Sequence, residues 1–287
     1  MFGLFKKKES EPEREKKPAG AAQDPAVREF ALQFSPEEME ILAVTGPRGL
    51  AGQRLPGSEL WTAGLEVTAW MEEDGPVHRE EAELAVLGDD RLLDYFRRRV
   101  PRNFIVSVRV RRDNTGAPRF LMVNLPEPAF DPELKAIAEE QKKPVTFQAE
   151  GLGEFALNRS LGWFEAEVDW LGKPVRLEFD QDQEREPCLD HLRTLMAEQE
   201  SWDQRVRALA ADRLLLRSAD WDAGAEEPAQ PVTREGFLAR LELDAVQVAA
   251  DGALTFWFGD GEMLWPHAVQ VTGHMETGPE DAGTEEA

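Results

Sequence analysis

Apolar and polar residues alternate most plainly in "WFEAEVDWLGKPVRLEFDQ", residues 163–181. Phe164, Ala166, Val168 and Trp170 fall on one side of an extended chain, and Glu165, Glu167 and Asp169 on the other. After Gly172, Val175, Leu177 and Phe179 alternate with Arg176, Glu178 and Asp180. Two runs of period two separated by a glycine predict a hairpin. The spacing then changes. Leu189, Leu192, Leu195 and Met196, followed by Trp202, Val206, Leu209 and Ala210, recur at i, i+3 and i+4, which predicts two helices with one buried face. Thr233 caps a short helix, "REGFLARL". Three strands follow, "LDAVQVAA", "ALTFWFG" and "MLWPHAVQVTG", separated by Asp-Gly turns.

The first half reads the same way. "SPEEMEILAV" predicts a helix, with Ser35 as its cap, Pro36 in its first turn, and Glu37 and Glu38 near the positive end of its dipole. Residues 60–88 predict a hairpin turning at "EDGP". "DDRLLDYFRRRV" is a helix with Leu92, Leu93 and Phe96 on its apolar face. Strands 103–112 and 119–125 flank "DNTG", Asp131 caps "DPELKAIAEEQ", and "PVTF" closes the region as a strand. The expected fold class is α+β: two domains, each an antiparallel sheet with helices packed on one face, plus disordered tails. The expected divisions are a disordered tail over 1–27, domains over 28–150 and 151–273, and an acidic disordered tail over 274–287.

Charge sharpens the division. The 287 residues carry a net charge of −23, of which −5 falls in residues 1–150 and −18 in residues 151–287. Such a field repels phosphates and anionic membranes and attracts basic partners. A single cysteine, Cys188, excludes an intramolecular disulfide and multi-cysteine metal sites, and its helical apolar setting predicts a packed thiol. No apolar run approaches the ~18 residues of a membrane span. The "MFGLFKKK" start has too few apolar residues and charges for stable anchoring. These features predict a cytoplasmic protein with no transmembrane segment.

"FALNRSLGWFEAEVDWLGKPVRLEF", Trp202, "LLRSADW" ending at Trp221, "TREGFLARLELDAVQV" and "DGALTFWFGDGEMLWPHAVQV" follow one another over residues 155–273. In that order they resemble a bacterial domain-of-unknown-function family, number twenty-two-sixty-two. The family ends on a Gly-His pair after an aromatic residue; here Pro266 replaces the glycine and His267 stays. The resemblance implies a fold unit and a bacterial origin, and no reaction. The first half resembles an uncharacterised partner domain that such proteins carry.

Candidate chemistry is sparse. His267, with Asp260 and Glu262, is the first place to look for a catalytic set, which would make the protein a hydrolase or transferase. A lone histidine beside Trp265 reads more simply as a packing residue. His274 lies an odd number of positions away, on the opposite face of a continuous strand. His191 has no second histidine one turn on, and no zinc spacing occurs. "DQDQERE" lacks the glycine and the final acid of a calcium loop. "GLGEFA" is not followed by a helix, so it reads as a linker between domains rather than a dinucleotide fingerprint. No cofactor or metal is expected. Arg91 to Arg112 holds eight arginines, and Arg109 and Arg111 share one strand face, which reads as an exposed or interdomain surface rather than a nucleic-acid site. Trp163 and Trp257 fall out of phase with the apolar sets of their strands, as surface anchors would. The expectation is a non-enzymatic interaction module for a basic protein partner, one version being an immunity-type role against a basic toxin.

Overall fold

A computed structural model describes residues 25–55, 58–221, 233–259 and 267–286. Two compact units divide between Lys142 and Lys143, a few residues before the boundary expected at 150. Among the described residues they hold two sheets and six helices.

The first unit runs α1 (Pro25–Leu32), β1 (Phe34–Arg54), β2 (Trp61–Glu72), β3 (Ala82–Gly88), α2 (Asp90–Arg99), β4 (Ile105–Asp113), β5 (Arg119–Met122), β6 (Glu127–Pro128) and α3 (Pro132–Gln141). The helix expected over "SPEEMEILAV" is instead the start of β1. The helix-start signals there are real, but Ile41, Val44 and Thr45 favour a pleat. The acids find partners across it, with Glu38 opposite Arg111 and Glu40 opposite Arg109 on β4. Ser35 Oγ accepts the Glu37 N–H at 3.1 Å, a local turn that needs no helix. One helix does form just before it: α1 begins at Pro25, inside the segment expected to be a disordered tail, and Phe30 is buried.

β1 is long enough to pair on both sides. Residues 38–44 pair with β4, and residues 41–54 pair with β2. With β2–β3, β3–β5 and β4–β5 the ring closes in the order β1-β2-β3-β5-β4-β1. The β3–β5 pair is parallel, so the expectation of a purely antiparallel sheet fails here. A five-stranded Greek-key barrel with a helix between β3 and β4 is the connectivity of the OB type. The core inside it gathers Ile41, Leu65, Val67, Trp70, Val108 and Phe120, with Leu93 and Phe96 of α2 packed against one end.

A register shift beside Thr45 bends β1 between its two partners. Thr45 is fully buried. Its hydroxyl donates to the Pro101 carbonyl at 2.8 Å and accepts the Phe104 N–H at 3.0 Å, so the bend leaves no orphaned backbone group there. Asp131 caps α3 as expected, and Asp89 caps α2; each accepts a backbone N–H of the first turn.

The second unit contains β7 (Thr146–Ala149), β8 (Gly153–Asn158), β9 (Trp163–Trp170), β10 (Lys173–Asp180), α4 (Arg185–Ala197), α5 (Gln199–Trp221), α6 (Arg234–Arg240), β11 (Glu242–Val248), β12 (Ala253–Gly259), β13 (His267–His274) and β14 (Gly278–Glu286). Its eight strands lie in the order β14-β13-β12-β11-β10-β9-β8-β7. "PVTF" therefore belongs to this sheet, not the first, and "GLGEFA" contributes the turn and strand that pair with it. β10 and β11 are parallel, because α4, α5 and α6 carry the chain across one face between them. Their buried residues join Phe164, Leu177, Phe179, Val246, Phe256 and Val271 in a single core that includes Trp202. Cys188 is buried within it, and burial pushes its thiol up to about 11.

The acidic segment expected to be a tail is the edge strand β14. Its residues pair with β13 from Glu286 opposite His267 to Gly278 opposite His274, and Ala282 enters the core. A run of Gly, Pro, Glu and Asp has low strand propensity, but α5 packs across β13 and β14 and supplies the burial that the composition conceals.

Candidate interaction surface of the C-terminal sheet

Alternation gives the second sheet one face for the helices and another, pointing away from them, for residues of the opposite phase. The β9–β10 hairpin sets its pattern. Leu171 and Gly172 take φ of 53° and 84°, a two-residue turn with both central residues left-handed, and Asp169 accepts the Gly172 N–H at 3.0 Å. That turn fixes the register, so Glu165 stands opposite Glu178 and Glu167 opposite Arg176. The parallel pairing to β11 continues both rows: Arg176 lies opposite Ala245 and Glu178 opposite Gln247. On β12, Trp257 lies opposite Ala245 and Thr255 opposite Gln247.

The two out-of-phase tryptophans thus share this face. Trp163 and Trp257 are both half-buried, and by strand spacing they stand roughly 20 Å apart along a diagonal. The carboxylates lie between them. Glu178 is 2% exposed, although the helices pack on the other side of the sheet. Its Oε1 has no hydrogen-bond partner; the nearest cation is the Arg176 guanidinium, whose Nε is 3.6 Å away. Burial pushes the Glu178 carboxyl above the usual range. Arg176 draws it down, and the charge of Glu165 pushes it up again. Glu165 itself accepts from the Asn158 amide at 3.3 Å.

A third carboxylate arrives through a bulge. The β11–β12 register shifts between Leu243 and Ala245, leaving Asp244 as the extra residue. Asp244 is exposed, yet its carboxyl is held above the usual range, mainly by desolvation and then by Glu242, against the pull of Arg176 and the Gly259 N–H. One arginine therefore serves two carboxylates, Glu178 and Asp244. Among the described residues no three of His, Cys, Asp and Glu come together as a metal site.

The other sequence candidates fall elsewhere. Asp260 and Glu262 lie outside the described residues, as do Trp265 and Pro266. His267 is described as a backbone position only, the first residue of β13. Arg109 and Arg111 are on β4 of the barrel. Arg109 pairs with Glu38 at 3.7 Å, and Arg111 donates to the carbonyls of Phe34 and Ser35. Arg112 is engaged by Glu72 and lies over Trp70. The basic stretch is thus answered in part by acids and carbonyls of its own unit. His191 sits beside the Ala250 carbonyl, its Nε2 at 3.3 Å, and His274 beside that of Asp251 at 2.9 Å.

Comparison with known families divides the chain where the contacts do. A family model described as "Uncharacterized protein conserved in bacteria (DUF2262)" matches residues 149–284. A second, described as "Domain of unknown function (DUF7021)", matches residues 26–141. The chain thus carries a DUF2262 domain preceded by a DUF7021 domain, and the first match runs beyond residue 273 to include most of β14. No curated protein matches. Among solved structures, a deletion mutant of the single-stranded DNA binding protein from Thermus aquaticus is similar at 8% identity and a TM-score of 0.22, over 51% of this chain and 76% of that one. A score that low carries nothing about ligand or function. Among the described residues no helix is long and apolar enough to cross a membrane.

Proposed function

We propose that the protein is a non-enzymatic interaction module of the bacterial cytoplasm whose C-terminal sheet receives a basic protein partner. An acidic protein that neutralises a basic toxin is one form this would take. The observation that carries the reading is the face away from the helices. Two half-buried tryptophans bracket carboxylates that outnumber their cation, and one of those carboxylates is buried with an unsatisfied oxygen. Large aromatics ringed by polar groups are the usual anchors of protein interfaces, and an excess of one charge selects and steers the partner.

The barrel supports a protein over a nucleic acid. OB-type barrels take oligonucleotides on the face of their second and third strands, with aromatics as stacking platforms and cations along the backbone. Here the corresponding positions on β2 and β3 hold Gly64, Glu66, Glu83 and Ala85. Phe30 and Phe34, from α1 and the start of β1, pack on Ala85 and are themselves buried.

The test is affinity capture from a native lysate at low and high salt, with the wild-type chain beside Trp163→Ala and Trp257→Ala. A basic protein retained at low salt, released at high salt and lost with either variant is the expected result. Recovery of no salt-sensitive basic protein overturns the proposal.

A further inference from the structure

The outer face holds a more specific arrangement than a patch of charge. Arg176, Ala245 and Trp257 lie directly opposite one another on three adjacent strands. Two strand spacings place the backbones of Arg176 and Trp257 about 10 Å apart, and the residue between them has the shortest chiral side chain. The long residues on either side leave Ala245 almost fully covered. Glu178 and Gln247 form the next row, with Glu165 beyond Glu178. Asp244 lies on the other side of the Ala245 row, at the bulge and beside Gly259. Glu178 is the member that points to a ligand, because its Oε1 is buried and accepts nothing. Arg176 does not fill that role: it is half exposed, and its Nε, at 3.6 Å, lies beyond hydrogen-bond reach.

A protein normally removes such a group, since a buried carboxylate without a full set of donors is costly. Two glutamates opposite one another on neighbouring strands add like-charge repulsion. An arrangement that disfavours the free fold and would be relieved by one added cation is the pattern expected where a ligand completes the structure.

We propose that Glu178 and Glu165 form a seat for a single cationic side chain, lysine or arginine, presented by the partner and stacked on Trp257. The proposal rests on the basic-partner reading above and names its central contact. The incoming cation takes the place that Arg176 holds loosely, donates to Glu178 Oε1, and lies against the indole face as cations do on tryptophan.

The experiment titrates the full chain with an oligolysine peptide by calorimetry at low and high salt, using the Nε-acetylated peptide as the neutral control. Glu178→Gln keeps the shape and removes the charge. Glu242→Gln removes an exposed carboxylate of the neighbouring strand β11 that pairs with Lys173 rather than the seat. The expected result is salt-sensitive binding of oligolysine alone, weakened about tenfold by Glu178→Gln and little by Glu242→Gln. Equal weakening by the two variants overturns the seat and leaves a diffuse acidic surface, so the basic-partner reading survives. No binding of oligolysine to the wild-type chain at low salt overturns both. Melting curves establish that each variant is folded, and Glu165→Gln supplies the same comparison if Glu178→Gln is not.

Discussion

The barrel and the C-terminal sheet handle charge in opposite ways. On the barrel, acids meet bases nearly one to one across strands: Arg48 with Glu66, Arg109 with Glu38, Arg112 with Glu72 and Arg119 with Glu83. Glu66 and Glu83 stand opposite each other much as Glu165 and Glu178 do, but each has an arginine of its own. On the second sheet Glu178 and Asp244 divide one arginine, and Glu165 adds a further like charge. The lesson is that the uneven net charge of the two halves is more than a bulk property. In one half the acids of facing strands each meet an arginine; in the other, two carboxylates of one sheet face share Arg176.

Four measurements would break or sharpen this contrast. The largest effect is expected in the core beneath the acidic face. Phe256 is buried against Trp170 and Trp202, and Phe256→Ala should cost about 3–5 kcal/mol in denaturant unfolding. A loss below about 1 kcal/mol would mean that the helices do not hold this sheet as described. Next comes the barrel's bend. Thr45→Val removes a hydroxyl that serves both Pro101 and Phe104, and should cost about 1–3 kcal/mol by the same method.

The third prediction has the opposite sign. The Glu178 carboxyl is raised in the folded state, so folding holds a proton that the unfolded chain releases above about pH 4.3. Whatever stability the protonated group contributes is fully present below that pH and is lost as pH rises through the folded value. Glu178→Gln does not titrate. It should match the wild type near pH 4 and exceed it at pH 7, by on the order of 1 kcal/mol. Thermal melts at the two pH values decide this, and a variant less stable at pH 7 would show that the carboxylate is well satisfied after all. The smallest effect belongs to the balanced surface. Removing Glu38 from its exposed pair with Arg109 should change stability by about 0.5 kcal/mol or less, and by less still at high salt.

Much of the local structure was legible because local physics decides it. Asp131 announced one helix through its cap, Leu92, Leu93 and Phe96 announced another through their spacing, and the period-two runs around Gly172 announced the β9–β10 hairpin. The failures share a cause. "SPEEMEILAV" carries a helix start, and "GPEDAGTEE" has the composition of a tail; both became strands because distant segments, β4 in one case and α5 with β13 in the other, offered burial and pairing that no local window contains. Part of the carboxylate seat could have been found. A two-residue turn at Leu171 and Gly172 forces Glu165 opposite Glu178 by counting alone. That Glu178 is buried depends on the crossover to β11 and has no signal in the hairpin.

The double role of β1 has a consequence for how the first unit comes to exist. Its pairing with β4 joins residues as far apart as Glu40 and Ser107, whose side chains hydrogen-bond at 2.6 Å across 67 positions of chain. The β2–β3 hairpin and α2 are local and cheap to form, whereas that seam closes a loop containing both of them. Loop-closure entropy makes it the most expensive contact in the ring to reach. Until it forms, β1 and β4 each present an unpaired edge, so the kinetics of sealing the ring set how long the nascent domain is open to pairing with the wrong chain.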